Sequence, residues 1–458
     1  MSLSRALAAF GSNLGFDDLP EEVVVSARLR LLDTVGACLA SVGMEYADAM
    51  LGMVGEQGES RDALLFGSSK RASAAWAACY NGALAHGNDY DDTHSVALIH
   101  ISGVVVPTVL ALGERHRAPG RRVLEAAVAA YETGLRIGMA APSGFHARGF
   151  HATGVCGVFA AAIGASKLLG LNAPRMANAI GIAGSQAAGS MEFLVEGAWT
   201  KRLHPGWAAH GGIVAAQLAA RGYTGPSTVL EGRYGLFNAY AGMPPPDEAK
   251  LTAGFGREWE TLNIDFKPYP CGHISHPYMD CARSLRERHA FALEEIESIE
   301  LRVPPAAVPI LCEPYAEKIR PPNAYAARFS LPYAVAVVLK LGRAGIDEFS
   351  EERIRDAEVL ALAARTRYVA DASLPFPQSF PGWVKIRLRS GRELEQRMDD
   401  SRGSRKLPMS EAELYEKFSA NAARTLPAER IRRIWDAGVS IDRLDDVRAF
   451  TDLLSRPH

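Results

Sequence analysis

Histidine, aspartate and lysine recur in three short stretches set in apolar surroundings. The first is HGNDYDDTH, His86–His94, with His100 just beyond it. It places Asp89, Asp91, Asp92 and Thr93 within five residues of one another. The second is GFH, Gly149–His151, followed downstream by Lys201 in EGAWTKRLHPG. The third is KPYPCGHISH, Lys267–His276, and Tyr333 at the start of a strongly apolar run is a fourth candidate. These residue types suit proton chemistry on an anionic substrate. Taking a proton from carbon next to a carboxylate needs a base and a means of holding the charge that develops. Histidine titrates near neutrality and can act as that base. A neighbouring aspartate fixes the imidazole tautomer and steadies its cation. Lysine or a charged histidine neutralises carboxylates. A tyrosine or a second histidine can protonate a leaving hydroxyl or a carbanion.

Each stretch also has a plain structural reading. Asp89, Asp91 and Asp92 could cap a helix or fill a solvated turn. A lone histidine could be a satisfied core residue, and Lys201–Arg202 a surface pair. Pro268 and Pro270 could mark a domain linker, and Tyr333 could be core with its hydroxyl on the backbone. The rival chemistry is metal binding by Asp89, Asp91, Asp92 and His94. Neighbouring residues of one helix do not share a face, so a helical segment there would aim only Asp89 with Asp92 or Thr93. DYDD also spells the DxDD of class II terpene cyclases, but an aromatic fraction of 8% is poor for lining a carbocation pocket. The reading adopted is an enzyme with no metal and no cofactor.

Two kinds of element must position these residues. From Pro20 to about Ala241 the period is helical: Val24, Ala27, Leu31, Val35, Cys38 and Leu39 recur at one face. Pro20 with Glu21 and Glu22 reads as a helix start. Arg122–Met139 and Thr153–Leu169 read as further helices, with internal glycines that imply close helix–helix approach. From Lys267 the pattern is mixed. Ile299, Leu301 and Val303 alternate with charged residues as a half-buried strand, and Val384–Leu388 and Leu394–Met398 read as a hairpin across Ser390-Gly391. Helices are expected over His276–Arg288, Leu331–Leu341 and Glu351–Arg365, and again over Ser410–Leu426 and Ala428–Trp435. The fold class expected is mainly α: a large all-α helical domain, residues 1–266 and 400–458, plus a smaller inserted α+β domain, residues 267–399.

Composition narrows the partners. The chain has 458 residues with 50 Lys+Arg against 52 Asp+Glu and no polybasic run, which argues against nucleic acid. No stretch is long and apolar enough for a membrane span, and no signal peptide is visible, so the expected location is cytoplasmic. Six scattered cysteines without CxxC read as reduced thiols, not as a disulfide frame or an iron–sulfur site. No GxGxxG follows a strand and no GxxxxGK[ST] occurs, which argues against nucleotide cofactors.

The segment NGALAHGNDYDDTH, Asn81–His94, followed by His100, Gly103 and Pro107, resembles the hallmark of the MmgE/PrpD family. GFHATGVCGVFAAA (Gly149–Ala162), TKRLHPGWAAHGG (Thr200–Gly212) and ARGYTGPSTVLEGRYGLF (Ala220–Phe237) are similar to its next segments. KPYPCGHISHPYMD (Lys267–Asp280), ARFSLPYAVAVVL (Ala327–Leu339) and LPMSEAELYEKFSANA (Leu407–Ala422) follow in order. The family includes 2-methylcitrate dehydratases, cis-aconitate decarboxylases and iminodisuccinate epimerases. The resemblance implies a homodimer and cofactor-free chemistry at the domain interface. It implies an active-site set of Asp89, Thr93, His100, His151, Lys201, His273 and Tyr333, with Lys267 and His276 as neighbours. In it Asp89 orients a catalytic group, His100 and His151 are base and acid, Lys201 and Lys267 hold carboxylates, and Tyr333 closes the pocket. This chain has His100-Ile101-Ser102 where many members carry HPS or HPG, and Gly272 where a second cysteine is common. The leading expectation is dehydration of a 2-methylcitrate-like hydroxy acid. The alternatives are epimerisation of an iminodisuccinate-like acid, decarboxylation of cis-aconitate, or a non-catalytic carboxylate-binding homologue.

Overall fold

A computed structural model describes residues 1–376 and 379–456. The chain is mainly α-helical and divides into two compact units. The first comprises Met1–Gly87, Asp91–Ile264 and Ser410–His458. The second comprises Asn88–Tyr90 and Asp265–Met409.

The first unit is built on α1 (Glu21–Ser41), α2 (Ala74–Ala85), α3 (Ser102–His116), α4 (Gly120–Ala140), α5 (Ala152–Leu168) and α6 (Thr200–Ala220). Pro20 precedes α1 and Glu21 and Glu22 fill its first turn, where carboxylates favour the helix dipole. The packing of α6 on α5 and α2 sets the frame for the site. Glycine allows it: a Cβ on Gly206 would lie 2.1 Å from the Cys79 carbonyl oxygen, and one on Gly82 would lie 2.7 Å from Gly206 Cα. This close approach brings the C-terminal end of α2 beside the N-terminal half of α6. The helix Glu411–Ala422 returns to pack on α1, with Lys417 and Asp33 buried against each other at 2.7 Å. Ser410 and Glu413 form its capping box.

The second unit carries α7 (His276–Arg288), α8 (Leu331–Leu341) and a four-stranded sheet. Its strands are β1 (Ile296–Val303), β2 (Thr366–Ala370), β3 (Gly382–Leu388) and β4 (Glu393–Met398), in the order β2-β1-β3-β4. β1 runs parallel to β2 and antiparallel to β3, and β3–β4 is the expected hairpin. α7, α8, Ile299, Leu301, Val384 and Ile386 share one apolar core.

Two expectations need correction. The helix placed over Glu351–Arg365 is only Ala357–Ala363, because Asp356 accepts hydrogen bonds from the amides of Glu358 and Val359 and starts it late. β2 follows it, outside the sequence reading. Residues 400–409 stay with the second unit rather than the helical one. The Phe266 amide donates to Gly403 O at 3.0 Å, and Gly403 turns the chain at φ +94°. All six cysteines are buried free thiols. Among the described residues no helix is long and apolar enough to cross a membrane.

Candidate active site

The segment His86–His94 is not helical; it leaves α2 as a turn and gives residues to both units. Asp89 takes a left-handed conformation at φ +53°, which is uncommon outside glycine. In the first unit Asp91 turns back on His86, both fully buried, with its carboxylate oxygens 2.8 and 2.9 Å from Nδ1. Asp92 anchors the loop to the helices. It accepts from the Ser102 amide at 3.2 Å and from the Ser102 hydroxyl, and it lies 3.5 Å from the Arg30 guanidinium. Burial raises its pKa in spite of Arg30 and Ser102. Asp92 therefore caps the start of α3 and fixes the residues just before it.

His100 is one of those residues. Its amide donates to Thr153 Oγ1 at 3.1 Å, and its Nδ1 lies 2.8 Å from the Asp92 carbonyl oxygen and 3.0 Å from Thr93 Oγ1. A carbonyl only accepts, so Nδ1 carries a hydrogen and the ring is held in one orientation. His151 precedes α5, and its Nδ1 meets Nδ1 of His204 on α6 at 3.0 Å. The ring centres of His86, His100 and His151 lie 4.8 to 5.9 Å apart. Burial, then Lys201, then the neighbouring histidines push the His151 pKa well below its ordinary value. Burial, His86 and Lys201 lower His204 to about 4, and burial and Lys201 lower His146 to about 4. Lys201 itself is buried in the first turn of α6. Burial and the lysine thus hold His151, His204 and His146 in the neutral form at pH 7.

The second unit holds the other predicted residues. Lys267 lies 3.3 Å from Asp89 Oδ1 and donates to the Asp89 carbonyl at 3.0 Å, and both side chains are buried. Arg328 grips Asn88 through its carbonyl at 2.8 Å and its side-chain oxygen at 3.0 Å. His276 Nε2 donates to the Cys271 carbonyl at 3.2 Å, and His273 Nε2 pairs with the Ser401 hydroxyl at 3.0 Å. Nδ1 of neither ring has a hydrogen-bond partner. Burial and Lys267 lower His273 to about 3, and burial, His273 and Lys267 push His276 well down.

The structure brings Thr93, His100, His151 and Lys201 into one unit, and Asp89, Lys267, His273 and His276 into the other. The charge of Lys267, expected for a substrate carboxylate, is already spent on Asp89. Tyr333 sits in the apolar core of the second unit and donates its hydroxyl to the Glu348 carbonyl at 2.6 Å, which is the plain structural reading. His94 is committed to Glu260 at 3.1 Å, which removes it from the metal set considered from sequence. A different set exists: ligand atoms of His86, His100 and His151 lie within 4.8 Å of one another and could share a divalent cation. The Lys201 ammonium opposes a cation there. His86, Asp91 and His204 are site residues absent from the sequence-based set. Their signal was present in HGNDYDDTH and TKRLHPG, but adjacency in space depends on the α2–α6 approach.

The first unit thus gathers buried imidazoles beside a buried lysine. The MmgE/PrpD N-terminal domain matches residues 5–249, and the MmgE/PrpD C-terminal domain matches residues 269–442. The chain belongs to the MmgE/PrpD family. It is 28% identical to a cis-aconitate decarboxylase of Aspergillus terreus over 99% of this chain and 96% of that one. It is 27% identical to a human cis-aconitate decarboxylase over 100% of this chain and 95% of that one.

Proposed function

We propose that the protein is a lyase that needs no metal or cofactor and releases carbon dioxide from a small unsaturated tricarboxylate of the cis-aconitate type. The observation that carries proton transfer is the imidazole cluster, with His100 and His151 in hydrogen-bonded, defined orientations. The full-length likeness to cis-aconitate decarboxylases supports the choice of acid. It moves weight from the dehydration expected first to the decarboxylation held as an alternative. In such an acid one carboxylate sits on the carbon next to the alkene. When its C–C bond breaks, the electron pair forms a new alkene, and the displaced pair takes one proton at the far carbon. His151 supplies that proton, and Lys201 holds a remaining carboxylate. The homodimer implied by the family belongs to the same reading, and sedimentation of the pure protein checks it.

The orientation of His100, held through Nδ1, favours a second reading. It is the orientation a base needs, and abstraction followed by loss of hydroxyl or by reprotonation would give dehydration or epimerisation. Incubation with cis-aconitate, 2-methylcitrate and iminodisuccinate in deuterated buffer separates them. Carbon dioxide marks decarboxylation, a new alkene marks dehydration, and deuterium in otherwise unchanged acid marks epimerisation. EDTA should leave turnover unchanged. Silence with all three acids, in both turnover and exchange, overturns the enzymatic reading and leaves a carboxylate-binding protein.

A further inference from the structure

His151 and His204 meet through the same nitrogen, Nδ1 to Nδ1, at 3.0 Å. A ring nitrogen either donates or accepts, so one proton lies between the rings. Two protons there would face each other at hydrogen-bond distance, so the pair holds at most one positive charge. The rings are clamped into this contact. The His151 amide donates to the Gly189 carbonyl at 2.8 Å. Gly189 has φ +142°, and a Cβ there would lie 3.4 Å from His204 Nδ1. A Cβ on Gly154 of α5 would lie 3.4 Å from His204 Cβ. The contact leaves Nε2 of His151 for exchange with a substrate. The groups around His151 are His86, His100 and His146, ring to ring at 5.6 to 6.1 Å, with Phe193 at 6.1 Å and Lys201 acting through its charge.

We propose that His204 is a positioning residue that makes His151 and itself one acid–base unit, sharing the Nδ1 proton and working through Nε2 of His151. The proposal deepens the proton-transfer reading above and rests on it. In the charged form the unit holds protons on both Nε2 atoms and one between the rings. As the C–C bond to the departing carboxylate breaks, the displaced alkene pair takes the proton from His151 Nε2. The N–H electron pair stays on His151, and the shared proton settles on His151 Nδ1, donated to His204. One proton from water restores the charged form. Spreading one charge over two rings lets a site that already holds Lys201 keep an acid. Burial and Lys201, which lower both rings, make that acid strong.

The test has one arm without substrate and one with it. In ¹⁵N spectra of ligand-free protein labelled at histidine, His151 and His204 should titrate as a unit that takes up one proton. His204→Asn should shift the His151 nitrogens. Independent titration of both rings near the ordinary value of about 6.5, or unchanged His151 signals, overturns the proposal. In turnover, His204→Asn should lower kcat about 100-fold, a usual share for acid–base catalysis, with KM within about threefold. Asparagine keeps one hydrogen bond to His151 but cannot share a charge. A wild-type kcat in His204→Asn therefore overturns the proposal, because it reduces His204 to a ring support. If His204→Asn does not fold, the titration of the wild-type protein still decides. If wild-type protein leaves cis-aconitate untouched, the decarboxylase reading fails alone, since the spectra need no substrate.

Discussion

His151 and His273 are both buried, and both are kept neutral at pH 7 mainly by burial and a nearby lysine. Their hydrogen-bond partners differ. His151 is bonded to another imidazole, and His273 to the hydroxyl of Ser401. An imidazole can take up a proton within an accessible pH range, His204 at about 4, whereas a hydroxyl cannot. Around His151 the side chains gather ring to ring, while around His273 the charges are paired off as Lys267 with Asp89. A depressed pKa therefore does not by itself mark a working acid or base. What separates the two regions is whether the partner can carry a proton onward.

The largest effect that bears on this contrast is on turnover. His151→Ala should lower kcat about 1000-fold, within the range of lost acid–base catalysis. His273→Ala should lower it no more than about tenfold, and equal losses in steady-state assays would break the distinction. Next in size is the ion pair of the second unit. Lys267→Ala leaves the buried Asp89 carboxylate uncompensated and should cost about 3 kcal/mol in urea unfolding. Combining Lys267→Met with Asp89→Asn removes both charges and should recover most of that loss. Asparagine suits the left-handed backbone at 89.

A third test sharpens the comparison through pH. His204 sits at about 4 and His273 at about 3 in the folded chain, against about 6.5 unfolded. Between these values the unfolded state binds a proton that the folded state does not. Each histidine therefore contributes stability that is present above pH 6.5 and lost as pH falls through its folded value. The slope is about 1.4 kcal/mol per pH unit for each. His204→Asn should flatten the stability curve from about 6.5 down to about 4, and His273→Asn should flatten it further, down to about 3. Urea midpoints across pH read this directly, and unchanged slopes would show that the rings are charged in the folded state.

Much of this frame was legible in the sequence where one period holds over a whole element. His276–Arg288 and Leu331–Leu341 have the bounds that their apolar spacing predicts. The hairpin of β3 and β4 follows from alternation on both sides of Ser390-Gly391. β2 was not legible, because four of its five residues from Thr366 to Ala370 are at least partly open to solvent, on both faces, and no alternation results. The site was legible by residue type at His100, His151 and Lys201. The partner that fixes each imidazole was not: Asp91 faces His86 because the chain turns at Asp89, and His204 meets His151 because α5 and α6 pack closely. Pairings of that kind come from packing at a glycine, not from spacing along the chain.

The smallest expected effect concerns Tyr333, whose placement separates scaffold from site. Its hydroxyl is bonded to the Glu348 carbonyl, and its ring lies edge-on to Phe349 at 5.7 Å. Tyr333→Phe keeps the ring contact and deletes one buried hydrogen bond. It should lower stability by about 1 kcal/mol, the usual net value of such a bond. With the hydroxyl committed to the backbone, kcat should stay within about twofold of wild type. A loss of tenfold or more in kcat with unchanged stability would mean that the hydroxyl leaves Glu348 during turnover and acts on substrate. The second unit would then supply chemistry as well as structure.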